Sequence, residues 1–209
     1  EDWCVAFLNR VLETMFTMNP PLQTKAKNQQ QMQFQLDELP LLASTVGIFF
    51  QQLSPSLRKT CLNKIVDFID HNFLPNATKA LGDILIAATL NGNNSAASLA
   101  PIVQVLYRKI IDKKTQKLNN LTDSELQYYL TLLGKSIRRN NGVSDASIRK
   151  QITTIVSLVW QSSTSKPVLK VAGKVLRQLI NSLTTVYLTE FRSQAPSVWE
   201  SESFKRDHW

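Results

Sequence analysis

The sequence predicts an all-α protein of about eight helices, each paired with its neighbour along the chain. Apolar residues recur at spacings of three and four through most of the chain, and alternating strand patterns are almost absent. Asn-Gly and Ser-Pro pairs separate several of the periodic segments, which indicates short turns. With 43% hydrophobic and 19% charged residues, the 209 residues are typical of a globular chain that can bury a sizeable core.

The first two helices are predicted on either side of a long loop. The opening helix runs from about Trp3 to Met18, and its apolar face carries Phe7, Leu8, Val11, Leu12 and Met15. A Gln-rich stretch follows, and because it has little to bury we predict a flexible loop over residues 19–38. The second helix is then expected from Pro40 to about Leu53.

Two helices that open with proline come next. Pro is favoured at the first helical position, so one helix is predicted from Pro55 to about Phe73 and another from Pro75 to about Asn91. The first has an apolar face of Leu57, Cys61, Leu62, Ile65, Phe68 and Ile69, and the second has Leu81, Ile84, Leu85 and Ala88.

The fifth helix contains a proline in its sequence. It is predicted between about Ser95 and Asp112, but Pro101 requires that it either begins late, near Ser98, or kinks. The polar segment that follows predicts a loop over residues 113–121, which we interpret as a variable insertion.

The last three helices have recognisable start signals. Thr122 and Glu125 have the spacing of a capping box, in which each side chain bonds to the other's backbone N–H. Ser144 is predicted to cap the seventh helix and Ser165 the eighth. After Thr189 the sequence predicts irregular structure.

Helix pairs therefore start near residues 40, 76, 122 and 166, a repeat of roughly 40 residues. This period is typical of an α-solenoid of HEAT-like or armadillo-like antiparallel helix pairs. A compact helical bundle is the alternative architecture. Because the first residue is Glu1 rather than Met, we expect residues 1–209 to be a single solenoid segment of a much larger protein.

The chain is basic, with a net charge of +8, and a row of cations lies on its last predicted helix. On a helical wheel Lys166, Lys170, Lys174 and Arg177 fall within an arc of about 80°. The roughly opposite side carries Val168, Leu169, Val171, Ala172, Val175, Leu176, Leu179, Ile180 and Leu183. The row is either the solvated face of an amphipathic helix or a contact for an anion or an acidic partner.

A second group of cations flanks a predicted turn. Arg138, Arg139, Arg149 and Lys150 would lie at one edge of a helical hairpin, where they could contact phosphate or an acidic protein. Aromatic residues are not interleaved with them, so a stacking platform for single-stranded nucleic acid is not expected. A solvated turn is the alternative interpretation.

The sequence lacks the patterns of an enzyme or a metal site. It has two histidines, and His71 has no second ligand at helical spacing, so we expect neither metal nor cofactor. No nucleophile elbow, zincin motif or Gly-rich phosphate loop is present. Cys4 and Cys61 form no CxxC pair and are expected to be buried thiols of a reducing compartment. No apolar run is long enough to suggest a membrane partner.

Two long segments resemble one known family. They are LSPSLRKTCLNKIVDFIDHNFLPNATKALGDIL at residues 53–85 and AGKVLRQLINSLTTVYLTEFRSQAPSVW at residues 172–199. Both are similar to the middle region of the large single-chain proteasome activators of the Blm type, and the opening EDWCVAFLNRVLETMF fits the same region. The resemblance covers most of the chain apart from the Gln-rich stretch and residues 113–121.

The resemblance implies a structural, non-enzymatic role. Members of the family are giant HEAT-like solenoids that cap the 20S proteasome core particle and open its gate without ATP, in ubiquitin-independent degradation. They act in the nucleus and cytoplasm, and some are linked to DNA repair. They also hold inositol polyphosphates, but no motif assigns those ligands to residues of this sequence. A basic HEAT or armadillo adaptor for a transport cargo or nucleic acid is the alternative function.

Overall fold

The structure, a computed structural model, describes residues 2–17, 29–90 and 95–199. Within these ranges it contains eight α-helices and no strand, which confirms the predicted all-α class. Their bounds are α1 Asp2–Thr17, α2 Gln29–Gln52, α3 Pro55–His71, α4 Thr78–Leu90, α5 Ser95–Ile110, α6 Asp123–Ser136, α7 Ala146–Ser162 and α8 Lys166–Trp199.

The helices form two layers, because each helix packs against the next but one along the chain. Helices α1, α3, α5 and α7 contact one another in sequence, and α2, α4, α6 and α8 do the same. Contacts between α5 and α6 and between α7 and α8 join the layers. Such stacking of helix pairs buries a continuous apolar core and is the architecture of a solenoid. The predicted α-solenoid is therefore confirmed, and the compact bundle is not the architecture.

The Gln-rich stretch was predicted to be a loop, and this is wrong for its second part. Helix α2 begins at Gln29, so residues 29–38 are helical, while residues 19–28 lie outside the described residues. Gln has a helix propensity close to that of Leu, so a Gln-rich sequence can extend a helix that is anchored further along. The anchor is the buried set Leu39, Ala43, Val46 and Phe50. Pro40 lies inside α2 rather than at its start.

The predicted start of α4 is also wrong, because Pro75–Ala77 form a 3-10 turn and the α-helix begins at Thr78.

Two further boundaries differ from the prediction. Helix α5 begins at Ser95 and continues through Pro101, so it does not start late. Helix α8 continues to Trp199, so the irregular structure predicted after Thr189 is wrong over that range. Buried residues elsewhere on each helix hold it in place, and this packing outweighs the local signal for a break.

Two predicted helix starts are confirmed by their caps. The Ser54 side chain accepts a hydrogen bond from the Leu57 N–H at 3.4 Å, and Thr122 and Glu125 form the reciprocal capping box. The cap of α7 is Asp145 and not Ser144. The Asp145 carboxylate accepts the N–H of the next helical turn, whereas Ser144 belongs to the 3-10 turn Asn141–Ser144.

The loop over residues 113–121 closes the end of α5. The Asn119 side-chain amide donates to the carbonyl oxygens of Arg108 and Lys109 at 3.0 and 2.8 Å. Ile111 and Leu118 form an isolated antiparallel bridge. These bonds satisfy carbonyls that the helix end would leave without partners. The variability of this loop remains a prediction.

The turn that follows α6 contains a left-handed residue that is held by α8. Arg139 has φ 55°, a conformation that favours Gly, and its N–H donates to the Ser182 hydroxyl at 3.0 Å. Ser182 is 2% exposed, and its own hydroxyl donates to the Ile137 carbonyl oxygen at 2.7 Å. Ser182 therefore ties the end of α6 to α8.

Arg139→Gly is expected to raise the free energy of unfolding by up to about 1 kcal/mol. Glycine removes the steric cost of the left-handed conformation, and its greater freedom in the unfolded chain offsets part of that gain. Urea denaturation followed by circular dichroism measures the change. Arg138→Gly is the matched control, since Arg138 has no positive φ and should lose about 0.5–1 kcal/mol. A lower stability for Arg139→Gly would contradict this account.

Two observations on membrane spans and cysteines apply to the part of the chain that the structure describes. None of its helices is both long and apolar enough to cross a membrane. Both cysteines are buried free thiols, and burial raises the pKa of Cys61, which keeps that thiol protonated and unreactive at neutral pH.

Candidate functional site

The predicted cation row on α8 is exposed along its whole length. Lys166, Lys170, Lys174 and Arg177 all face solvent. The core-facing residues Val168, Ala172, Val175 and Leu179 are buried, as the helical wheel predicted. The row therefore has the geometry of the solvated side of an amphipathic helix, and its four cations are available for contact.

The helical wheel was wrong about two apolar residues of α8. Leu176 and Ile180, which were grouped with the buried face, are 37% and 54% exposed. Helical spacing places them on the same side of α8 as Gly173 and the exposed Tyr187, and the ring of Trp160 in α7, also exposed, lies near Gly173. A single helix shows only that these residues are apolar. The structure shows that no described helix covers them.

The second cation group is used partly for structure. The Arg149 guanidinium donates to the carbonyl oxygens of Val143 and Ser144 at 3.3 and 2.7 Å, so it braces the turn that was predicted to be a phosphate edge. Arg138, Arg139 and Lys150 are exposed. The predicted edge is thus three exposed cations and one that is engaged with backbone.

A groove between α6 and α8 brings together one cation from each predicted group. It encloses about 200 Å³, and it is lined by Arg138, from the turn that follows α6, and by Lys174 of α8. Its apolar lining consists of Leu130, Val171 and Val175, together with Gly134. The other residues of the two groups do not line this groove. We refer to it as the α6/α8 groove.

Lys135 also lines the α6/α8 groove, but its charge is neutralised by α4. Its ammonium group lies 2.6 Å from the Asp83 carboxylate. The side chain passes over Gly82, where an added Cβ would lie 2.8 Å from the Lys135 Cγ. The absence of a side chain at Gly82 thus allows Lys135 to reach Asp83 across the even-numbered layer.

The two cations of the groove, Arg138 and Lys174, lack the counterion that Arg108 and Lys109 of α5 have. In the odd-numbered layer the Asp70 carboxylate forms ion pairs with Arg108 and Lys109, with N–O distances of 3.0 and 3.2 Å. Arg138 and Lys174 in the even-numbered layer have no ion pair to any described residue. Both cations at the rim of the α6/α8 groove are therefore without a counterion among the described residues.

Sequence reasoning missed the groove and its lining residues Lys135 and Gln178. The only signal was the spacing of Leu130, Gly134 and Arg138, which places them on one stripe of α6. That stripe cannot be identified as a groove wall until its pairing with α8 is known.

Metal and acid–base chemistry have little support in the described ranges. No group of three or more His, Cys, Asp or Glu residues could hold a metal ion there. The His71 Nδ1 lies 2.7 Å from the Asp67 carbonyl oxygen within its own helix, a structural contact. Burial raises the pKa of the Tyr128 phenol strongly, so this group stays protonated beside Phe73 and Tyr129.

Comparison with known proteins identifies the family. The family model described as "Proteasome activator complex subunit 4, mid HEAT repeats region" matches residues 1–209. Neither the curated proteins nor the solved structures gave a match. The family match agrees with the two-layered stack of helix pairs and with the resemblance seen in the sequence. The chain belongs to the family of proteasome activator complex subunit 4 and represents its middle HEAT-repeat region.

Proposed function

We propose that the chain is a structural segment of an ATP-independent activator that caps the proteasome core particle and promotes opening of its gate. The family match over residues 1–209 is the observation that carries this proposal. The fold supports it, because stacked helix pairs extend a surface by adding repeats without needing a catalytic centre. The chain's part is to hold neighbouring repeats in register, and its exposed faces are available to partners. We propose that it acts in the nucleus and cytoplasm.

Capture of core particles tests this function. The full-length natural polypeptide, immobilised without nucleotide, is expected to retain purified core particles, which native gels would show as a slower species. An unrelated HEAT solenoid of similar charge is the control for nonspecific retention. Retention of nucleic acid or a transport cargo, without core particles, would favour the basic adaptor and contradict the proposal.

We also propose that the cation row on α8 contacts inositol polyphosphate. Its support is the exposure of Lys166, Lys170, Lys174 and Arg177 on one side of the helix. Replacing Lys170, Lys174 and Arg177 with Gln is expected to weaken binding of inositol hexakisphosphate to the full-length polypeptide, measured by titration calorimetry. Unchanged binding would identify the row as solvated surface only.

A further inference from the structure

The α6/α8 groove has an apolar floor that no side chain fills. Helices α6 and α8 approach closely at Gly134, where an added Cβ would lie 3.4 Å from a Val175 methyl group. Leu130 and Val171 extend the floor towards the N-terminal ends of the two helices. The enclosed volume of about 200 Å³ is smaller than the ~300–1,000 Å³ of typical small-molecule sites. It suits one side chain of a larger partner better than a whole small molecule.

The rim of the groove supplies two cations from opposite sides. Arg138 projects from the turn that follows α6 and Lys174 from α8, and neither has an ion pair with any residue in the described ranges. The Lys135 ammonium is directed to Asp83, so this residue contributes mainly its carbon stem. Among the described residues, no Asp or Glu lines the groove. The site is therefore a small apolar cleft between two unneutralised positive charges.

We propose that the α6/α8 groove binds a short acidic segment of a partner protein. One apolar side chain of that segment lies against Gly134 and Val171, the two apolar lining residues that are partly exposed. Carboxylates that flank it pair with Arg138 and Lys174, and the planar guanidinium can bind a carboxylate through two parallel hydrogen bonds. A compact polyphosphate fits less well, because it would place charge against an apolar floor with only two cations.

The proposal is independent of capping of the core particle, and it can be tested with a defined probe. The probe is a fluorescein-labelled peptide of sequence GDELDEG, and the readout is its fluorescence anisotropy with the full-length natural polypeptide. Arg138→Glu/Lys174→Glu is expected to weaken binding at least about tenfold, since each charged hydrogen bond contributes substantially. Gln178→Trp, which fills the groove without changing the charge, should weaken binding to a similar extent.

The matched control has the same charge change outside the groove. Lys59→Glu/Lys64→Glu alters two exposed cations of α3 that do not line the groove, and it should change the affinity by less than about threefold. Peptides with Asn and Gln in place of the acids, or Ser in place of Leu, should each bind at least about tenfold more weakly. Circular dichroism confirms that each variant is folded.

Several results would overturn the proposal. One is failure of GDELDEG to bind, and another is equal weakening by the groove variant and the control variant, which would indicate a diffuse basic surface. A third is an affinity that is unchanged by the Leu-to-Ser change, together with displacement of the peptide by inorganic tripolyphosphate. That result would identify a simple phosphate site. An unchanged affinity in Gln178→Trp would show that the floor is not used.

Discussion

Leu106→Ala is expected to lower the free energy of unfolding by about 2–5 kcal/mol. Leu106 is fully buried in α5, which packs against α3, α6 and α7. Removing its side chain leaves a cavity in the close-packed core, which the neighbouring helices can close only in part. Because domains are stable by only ~5–15 kcal/mol, such a loss is a large share of the total. Urea denaturation of the 209-residue chain, followed by circular dichroism, measures it.

Leu41→Ala is the matched control for this substitution. Leu41 is 71% exposed on α2, and Ala is the better helix former, so we expect a change within about 0.5 kcal/mol. Equal effects at Leu106 and Leu41 would show that α5 is not the centre of the core, and the two-layered packing would then be wrong.

Ser182→Ala is expected to lower the free energy of unfolding by about 1–3 kcal/mol. The substitution removes the acceptor of the Arg139 N–H, a partly buried donor at the end of α6. The Ile137 carbonyl loses its 2.7 Å bond from Ser182 but keeps a longer one, 3.2 Å, from the Asn140 N–H. The cost therefore arises mainly from one unsatisfied donor. Thermal and urea denaturation measure it.

Thr184→Ala is the control for this substitution. It removes a hydroxyl from α8 without removing a contact between α8 and the end of α6. The Thr184 hydroxyl is exposed and bonds only to the Ile180 carbonyl oxygen of its own helix, so its loss should be neutral or slightly stabilising. If both substitutions had the same effect, Ser182 would have no special role in joining α6 to α8.

The helices and most of their boundaries could be predicted because their signals are local. The capping box at Thr122 and the proline start at Pro55 each use residues within one turn, and both are present in the structure. The predicted boundaries were wrong where packing against residues distant in sequence determines the extent of the helix. Pro101 lies within α5 and the Gln-rich segment extends α2, because buried residues further along these helices hold them in the core.

The candidate site was predictable only in part. Helical spacing places Lys166, Lys170, Lys174 and Arg177 on one side of α8, and the structure has them there. Lys174 and Arg138 line the same groove because of how α6 and α8 pack together. No local sequence pattern encodes the register of that packing. Likewise, the exposure of Ile180 depends on what packs beside α8 and not on its own periodicity.

The most direct test of the central claim is the peptidase activity of purified proteasome core particles. We expect the full-length natural polypeptide to increase hydrolysis of a fluorogenic peptide without ATP. We expect deletion of the segment that corresponds to this chain to abolish the increase, because neighbouring repeats would lose their register. No stimulation by the full-length polypeptide, or full stimulation without this segment, would contradict a structural role in a proteasome activator.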